Sequence, residues 1–374
     1  MLRPRTLLAA AVVWLSVHAA VWLTVAATEP TRYPWPQDVS SLLEHWDAWH
    51  YGLISREGYA GVRWAFYPLH PLAVGLLARL FGLGAHPAAV GAVFSTLCFA
   101  AFCRMQARLI GEGGETVRPL APETLWGWLF FLAWPASWVF HSNHTESLFL
   151  LLSFLAFVCS RRGSWKTAAI LAGLCALTRN QGVFVAVAVA LDGALRQGGM
   201  ERRAPRDFKR GAPVFAASGA LSLALFALWP AYQYYATGEW TKFLWAQSQF
   251  GPLVKSFHQF VGTIWFVNSW QHPELWQTHL HHVAFLALNA AAVALLLRRE
   301  WALALYALLS LWSPLYLGQL ENAFRYGAVL FPAVFVLGEG LRRLPAPARV
   351  LVLAALVLLN LIYTRYYALG EWAY

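Results

Sequence analysis

Charge is scarce in this sequence of 374 residues. Only 12% of the residues are charged, whereas 59% are hydrophobic. The mean hydropathy is +0.49. Soluble globular proteins carry about 25% charged residues, so this composition excludes an ordinary soluble enzyme. We therefore expect the lipid bilayer to be the main solvent of the chain.

Cysteine is also scarce, and low-complexity tracts and internal repeats are not visible. The four cysteines, Cys98, Cys103, Cys159 and Cys175, fall within or at the ends of apolar runs. A thiol in such a place packs as a small apolar group, so no disulfide framework is indicated. Without repeats or a soluble segment, the chain is predicted to form a single transmembrane domain over residues 1–374.

Apolar runs are abundant, and a bilayer core of about 30 Å needs roughly 20 apolar residues per helical span. The longer runs are 6–27, 87–110, 212–236, 280–297, 301–317, 326–341 and 350–368. Shorter runs are 69–83, 125–140, 146–159, 167–177 and 183–195. The sequence predicts an all-α polytopic membrane protein with about eleven or twelve transmembrane helices.

The net charge of +10 does not indicate a nucleic-acid partner, because Lys and Arg are concentrated in short loops between spans. The positive-inside rule expects them in cytoplasmic loops. The predicted cytoplasmic segments are the N-terminus with Arg3 and Arg5 and the loops at 161–166, 196–210, 298–299 and 342–349. Residues 28–65 and 237–280 are then the two large non-cytoplasmic loops.

If all five shorter runs crossed the membrane, the predicted cytoplasmic loops would not all lie on the same side of it. At least one run between residues 69 and 195 is therefore predicted to be a re-entrant helix or a half-span that lines a cavity.

The second large loop is rich in tryptophan. It contains Trp240, Trp245, Trp265, Trp270 and Trp276. Because Trp favours the headgroup depth, an interfacial belt or a surface-lying helix explains this pattern. Stacking against a sugar or a lipid is an alternative that the sequence leaves open.

The densest polar segment is EHWDAWHYGLISREGY, which begins at Glu44. Glu44, Asp47 and Tyr51 are spaced to share one helical face, with His50 beside Asp47 at i+3. Unpaired carboxylates near the membrane are costly and usually indicate a functional cavity. A solvated interfacial helix is the alternative interpretation.

The ordered residues around this segment resemble those of the PIG-V-like mannosyltransferases. Trp46, Asp47, His50, Tyr51, Gly58 and Tyr59 are followed by AFYPLHP at 65–71, HSNHTESLFLLLSFLAF from His141, LTRNQGV from Leu177 and ENAFRYGAVLFPAV from Glu321. This family includes the eukaryotic GPI mannosyltransferase II and bacterial homologues, within the GT-C superfamily. The family's serine before arginine is Thr178 here, and His144 and Thr145 replace its Tyr-Ser before Glu146. These departures leave the acceptor open.

The resemblance implies a GT-C type bundle that moves mannose from a polyprenyl- or dolichyl-phosphate-linked donor to a lipid or glycan acceptor. It also implies inversion at a site on the non-cytoplasmic face, in the bacterial inner membrane or, in a eukaryote, the ER membrane. An attacking hydroxyl needs one general base, and a carboxylate within reach suffices. Asp47 is the candidate base, and Glu44 is a positioning or metal-assisting residue.

The departing lipid phosphate needs a fixed cation. Arg179 and Arg325 are the candidates, beside Asn180 and Tyr326, because arginine binds phosphate in a bidentate manner. A topogenic or snorkelling arginine is the alternative for each. Lys242 and Lys255 are weaker candidates.

The predicted substrate-binding set also contains His50, Tyr51, Tyr67, His141, His144 and Glu146. His141, His144 and Glu146 do not have the spacing of a tight metal motif. Hydrogen bonding toward the sugar or Asp47 is predicted for them, with helix capping as the alternative. No metal site and no certain cofactor is predicted, although a divalent cation is left open.

Two other function classes fit the sequence less well. A transporter or flippase of a sugar-linked lipid also needs a charged cavity, but transporters often have matched halves, and EHWDAWH has no counterpart in the second half. A non-enzymatic scaffold would not need Asp47, Glu146, Arg179 and Arg325 at membrane depth.

Overall fold

The computed structural model describes residues 3–28, 43–113, 120–197, 208–250, 276–316 and 322–373. Within these ranges the regular structure is entirely helical. Five helical segments are long and apolar enough to cross a membrane: Pro4–Ala27, Pro87–Glu112, Lys209–Thr237, Trp276–Leu297 and Ala346–Ala368. The chain is an all-α polytopic membrane protein, as predicted.

The α-helices are, in chain order, α1 (Pro4–Thr28), α2 (Asp47–Glu57), α3 (Leu69–Leu80), α4 (Pro87–Glu112), α5 (Leu125–Leu132), α6 (Glu146–Arg161), α7 (Trp165–Ala176), α8 (Gly182–Gln197), α9 (Phe208–Phe226), α10 (Leu228–Thr237), α11 (Lys242–Ser248), α12 (Trp276–Leu297), α13 (Trp301–Tyr316), α14 (Ala323–Ala328), α15 (Phe331–Gly340) and α16 (Ala346–Ala368). Short 3-10 helices lie at Gly61–Ala65, Ser137–His141 and Leu341–Arg343.

Contacts within the chain group it into two compact units. Unit 1 contains Met1–Tyr59, His70–Leu150 and Ala328–Tyr374, and unit 2 contains Ala60–Leu69 and Leu151–Gly327. The boundary between them falls inside α6. The single domain over residues 1–374 stays a prediction, and the two units are described separately below.

The basic termini of several helices meet at one end of unit 1. Gly111, near the end of α4, packs against Pro4 at the start of α1. The Trp128 indole on α5 donates to the Leu7 carbonyl at 3.1 Å. Glu339, near the end of α15, accepts from the Thr124 backbone N–H at 2.8 Å. We call this the basic end of unit 1, since Arg3, Arg5 and the loop 342–349 belong to it.

In unit 1, α3 is the short run that we expect to be the one that does not cross the membrane. Tyr51 on α2 faces His70 on α3 (5.5 Å between ring centroids), and Ser55, one turn later, donates to the Pro71 carbonyl at 2.9 Å. α2 therefore meets α3 at the first turn of α3. α4 begins beside Gly52 of α2 and runs from there to the basic end.

The start of α3 therefore lies at the end of unit 1 opposite its basic end, and only residues 81–86 join α3 to the start of α4 at that same end. We therefore expect residues 69–80 not to cross the membrane. Without this run, the predicted cytoplasmic loops all lie on one side of the membrane, and the predicted number of transmembrane helices is the lower one, eleven. The membrane topology itself stays a prediction.

Two runs that read as continuous spans are broken by proline. The run 125–140 forms α5 and, after Pro135, the 3-10 helix Ser137–His141. The run 326–341 is divided between α14 and α15, with Pro332 in the first turn of α15. Proline has no N–H for an interior helical bond, so it is placed at such interruptions.

Unit 2 is organised by a buried ionic cluster. Arg161 at the end of α6 binds Glu300 at 2.6 Å and lies 3.6 Å from Asp192 on α8. Asp192 also accepts from Arg196 at 3.1 Å and from the Ser160 hydroxyl at 2.7 Å. Several predicted cytoplasmic loops therefore meet at one end, the basic end of unit 2. The turn between α7 and α8, with Arg179, lies at the opposite end of these helices.

Candidate active site

Asp47 is the first residue of α2, directly after a strained turn. Trp46 has φ 53° and ψ −124°, a conformation that residues other than glycine rarely adopt. One prediction is wrong here: Glu44 does not share a helical face with Asp47 and Tyr51, because the helix begins only after this turn. His50 and Tyr51 do lie on the same helix as Asp47.

The residues before Asp47 are anchored by the C-terminal end of unit 1. The Trp46 indole donates to the Glu371 carbonyl at 3.1 Å, and its ring meets Trp372 edge-on at 5.1 Å. The Tyr367 hydroxyl lies 3.5 Å from the His45 carbonyl. Burial lowers the pKa of His45 to about 4, so its side chain is neutral near pH 7. The backbone next to Asp47 is therefore held in place while the Asp47 side chain stays half-buried.

A second set of polar residues is completely buried where the chain passes from the 3-10 helix Ser137–His141 into the first two residues of α6. We call Ser142, Asn143, His144, Thr145, Glu146 and Ser147 the polar loop; each is 0% exposed. The Ser142 hydroxyl and His144 Nδ1 are 2.8 Å apart, and Ser95 on α4 donates to the His144 carbonyl at 3.0 Å. The Thr145 hydroxyl donates to Glu146 at 3.3 Å. Buried polar groups of this kind require such partners.

The structure brings the polar loop and the start of α2 together. The Asn143 side-chain amide donates to the carbonyl of Ala48, the residue after Asp47, at 3.0 Å. The rings of Tyr51 and His144 are 6.5 Å apart. Asp47, His50, Tyr51, His144 and Glu146 therefore all belong to two segments that contact each other within unit 1.

His141 faces a different neighbour. The Trp22 indole on α1 donates to His141 Nε2 at 2.8 Å, and the His18 and His141 rings are 4.8 Å apart. Because an indole N–H can only donate, this nitrogen of His141 acts as an acceptor. His141 thus links α1 to the segment that precedes the polar loop.

Unit 2 holds the predicted phosphate-binding residues. Arg179 and Arg325 are each only 7% exposed, unlike a snorkelling arginine that reaches the interface. The Arg179 guanidinium lies 5.7 Å from the centre of the Tyr326 ring, and its Nε donates to Gln181 at 3.2 Å. Asn180 accepts from the Gln181 backbone N–H at 2.8 Å. Arg179, Asn180 and Tyr326 therefore form one cluster, in which the arginine has a fixed orientation.

The remaining predicted residues of unit 2 lie elsewhere in it. Tyr67 is half-buried, with its ring 6.4 Å from Phe243. Burial raises the pKa of the Tyr67 hydroxyl, which keeps it protonated. Lys242 is paired with Glu239 at 2.9 Å. Lys255 lies outside the described residues.

The described ranges contain no group of three His, Cys, Asp or Glu side chains that could hold a metal ion.

His70, Asn143 and Gln181 are parts of these clusters that residue-type reasoning did not select. Each lies within a motif that the sequence singled out. The partners of Asn143 and His70 are far away in the chain, whereas Gln181 binds Arg179, two positions before it. Asn143 contacts Ala48 across 95 positions and His70 across 73. Only covariation between such positions would reveal these contacts in sequence.

The family description Mannosyltransferase (PIG-V) matches residues 33–268 of the chain. The match covers more than half of the chain and includes α2, the polar loop and the Arg179 turn, but it ends before Arg325. Searches of curated proteins and of solved structures gave no match. The chain belongs to the PIG-V mannosyltransferase family and is a membrane-embedded glycosyltransferase.

Proposed function

We propose that this mannosyltransferase takes its sugar from a polyprenyl- or dolichyl-phosphate-linked donor and transfers it to a lipid or glycan hydroxyl with inversion. The observation that carries the proposal is the buried contact between the start of α2, with Asp47, and the polar loop, with His144 and Glu146. A carboxylate at the edge of a buried polar cluster is the arrangement that a single-displacement glycosyl transfer needs.

Asp47 is the proposed general base. It accepts the proton of the acceptor hydroxyl as that oxygen bonds to the anomeric carbon. The bond from the anomeric carbon to the donor phosphate oxygen breaks, and its electron pair leaves with the lipid phosphate. One displacement inverts the configuration and needs only one essential carboxylate. Glu44 is then assigned to positioning, or to assisting a metal ion, rather than to proton transfer.

The sugar hydroxyls are assigned to His50, Tyr51, His144 and Glu146. Imidazole, phenol and carboxylate groups supply both the donors and the acceptors that a hexose requires. The buried polar loop favours this assignment over plain helix capping, because capping alone does not account for six consecutive buried polar side chains.

Phosphate binding is assigned to Arg179 and Arg325. Negative charge develops on the lipid phosphate as the glycosidic bond breaks, and a preorganised cation stabilises it without reorganisation at that moment. Gln181 and Tyr326 hold the Arg179 guanidinium from two sides, which supports such preorganisation. A divalent cation has a place in this proposal only as a bridge to the donor phosphate, and no step is derived from it.

The proposed site faces away from the cytoplasm. In unit 1 Asp47 lies at the end opposite the basic end, and in unit 2 Arg179 does so as well. The positive-inside rule assigns basic ends to the cytoplasm. A lipid-linked donor fits this location, since nucleotide sugars are cytoplasmic. The bacterial inner membrane is proposed, or the ER membrane in a eukaryotic host.

Mass spectrometry of lipids and glycans from a deletion strain tests this function. We expect one product to be shorter by one hexose, and wild-type protein supplied in trans to restore it. A deletion strain with normal glycans and misplaced lipid-linked precursors would instead identify a transporter or flippase.

A further inference from the structure

We propose that Asn143 is a positioning residue that sets where Asp47 lies relative to His144 and Glu146. The inference rests on the proposed function, because it concerns the same reacting groups. Asn143 itself is fully buried and stands one residue before His144 in the polar loop.

Both the nitrogen and the oxygen of the Asn143 side-chain amide form hydrogen bonds. Nδ2 donates to the Ala48 carbonyl at 3.0 Å. A carbonyl can only accept, so this bond fixes which end of the amide carries the nitrogen. The oxygen, Oδ1, then accepts from His70 Nε2 on α3 at 3.1 Å. One amide therefore connects α2, α3 and the polar loop.

α4 provides the space for this amide. A Cβ added to Gly91 would collide with the Asn143 Oδ1 and Cγ atoms. Glycine at this position lets the asparagine side chain lie directly against the α4 backbone. The close fit restricts the amide further, because dense packing leaves a side chain little freedom to shift.

The bond to Ala48 matters because of the turn before it. Trp46, two residues earlier, is held at φ 53°, a conformation that persists only when neighbouring contacts enforce it. His45 and Trp46 are held by residues at the end of α16, and Ala48 is held by Asn143. Asp47 lies between these two anchors. Removing the Asn143 anchor lets the start of α2 relax and moves the Asp47 carboxylate away from His144.

The test compares Asn143→Ala and Asn143→Asp with wild type, as purified full-length protein supplied with a polyprenyl-phosphate mannose donor. Displacing a catalytic group by about 1 Å can cost roughly 100-fold in rate. We expect kcat of Asn143→Ala to fall roughly 10- to 100-fold, with little change in KM for the donor, whose phosphate is assigned to unit 2. A purely structural role would instead reduce the amount of folded protein and leave kcat per folded molecule unchanged.

Asn143→Asp is a nearly isosteric substitution and provides a second measurement. Its ionised carboxylate cannot donate to the Ala48 carbonyl, whereas the protonated carboxyl can. We expect the activity of this variant, divided by that of wild type at the same pH, to rise as the pH falls. The other ionisable groups near this position are Asp47 and Tyr51 on α2, His70 on α3 and His144 and Glu146 on the polar loop, while α4 presents Gly91 and Ser95. The new carboxyl is coupled to the titration of these groups, so the sign of the change in the ratio, and not its midpoint, is the readout.

Asn289 offers a matched control. Its Nδ2 donates to the Phe285 carbonyl at 2.9 Å, and its Oδ1 accepts from the Trp312 indole at 2.9 Å. It bridges two groups as Asn143 does, but on α12 of unit 2, where it has no assigned role in the reaction. Asn289→Ala and Asn289→Asp should keep kcat within about twofold of wild type, with an activity ratio that does not change with pH.

Folded Asn143→Ala with kcat within about twofold of wild type would overturn the inference. If that variant does not fold, a pH-independent ratio for Asn143→Asp overturns it. Asp47→Asn in the same assay separates this inference from the proposed function. If Asp47→Asn is inactive while the Asn143 variants are fully active, only the positioning role is refuted. If Asp47→Asn is active, the assignment of Asp47 as the base is refuted.

Discussion

Trp46 places backbone strain next to the proposed base. A tryptophan at φ 53° and ψ −124° occupies a region that the Cβ atom makes unfavourable. Conformations of this kind cost on the order of 1–3 kcal/mol and concentrate at functional sites. Here the contacts with Glu371 and Trp372 stabilise the turn, which gives Asp47 a fixed position at the helix start.

A pair of substitutions isolates this strain. Trp46→Gly and Trp46→Ala both remove the indole and its contacts, but only glycine adopts the observed backbone conformation freely. We expect Trp46→Gly to be more stable than Trp46→Ala by about 1 kcal/mol. Thermal unfolding in detergent measures the difference, and equal midpoints for the two variants would show that the turn carries no strain.

At the scale of elements, glycines set how closely the helices of unit 1 approach. A Cβ on Gly338 of α15 would lie 2.7 Å from the Gly127 Cα and 2.8 Å from the Phe130 Cβ on α5. Small residues of this kind let transmembrane helices pack backbone to backbone. The same contact brings Glu339 to the start of α5, where it accepts from Thr124.

Gly338→Ala should separate α5 from α15. Because the obstructing atoms include backbone, they cannot rotate away, and overpacking of this kind costs roughly 1–3 kcal/mol. The control is Gly340→Ala in the same helix, where an added Cβ meets nothing within 4 Å. We expect Gly338→Ala to unfold at a lower temperature than wild type, and Gly340→Ala to unfold at the same temperature as wild type. Equal stability of both variants would contradict the close packing.

The helices that the sequence predicted well are those whose apolar runs are long enough to span a bilayer. The run 87–110 became α4 (Pro87–Glu112), and the run 350–368 became α16 (Ala346–Ala368). α3 was ambiguous because a mainly apolar segment of twelve residues has the same composition whether or not it crosses a membrane. Glu44 was misplaced because 3.6-residue periodicity does not show where a helix begins. The link from Asn143 to Ala48 was invisible because nothing local encodes a partner 95 residues away.

At the scale of the whole molecule, the proposed topology determines which segments lie on each side of the membrane. It keeps α3 at the non-cytoplasmic face and places the Arg161, Asp192 and Glu300 cluster at the cytoplasmic face. In each unit, the residues assigned to the reaction then belong to the non-cytoplasmic end.

Cysteine labelling tests this topology. Ala85 follows α3 and Ser164 precedes α7, and both are exposed. Cys98, Cys103 and Cys175 are buried, so a Cys159→Ser background leaves few competing thiols. A membrane-impermeant maleimide should label Ala85→Cys in intact cells and Ser164→Cys only after permeabilisation. Labelling of Ala85→Cys only after permeabilisation would mean that α3 crosses the membrane.

The most direct test of the central claim is mannose transfer by purified Asp47→Asn from radiolabelled polyprenyl-phosphate mannose in reconstituted liposomes. Glu112→Gln is the control, because Glu112 is an exposed carboxylate paired with Arg108 at the basic end of unit 1. We expect Asp47→Asn to lose at least about 100-fold in rate, since a general base contributes 10²–10⁴-fold, while Glu112→Gln retains wild-type activity. A folded Asp47→Asn protein that transfers mannose at close to the wild-type rate would contradict the account.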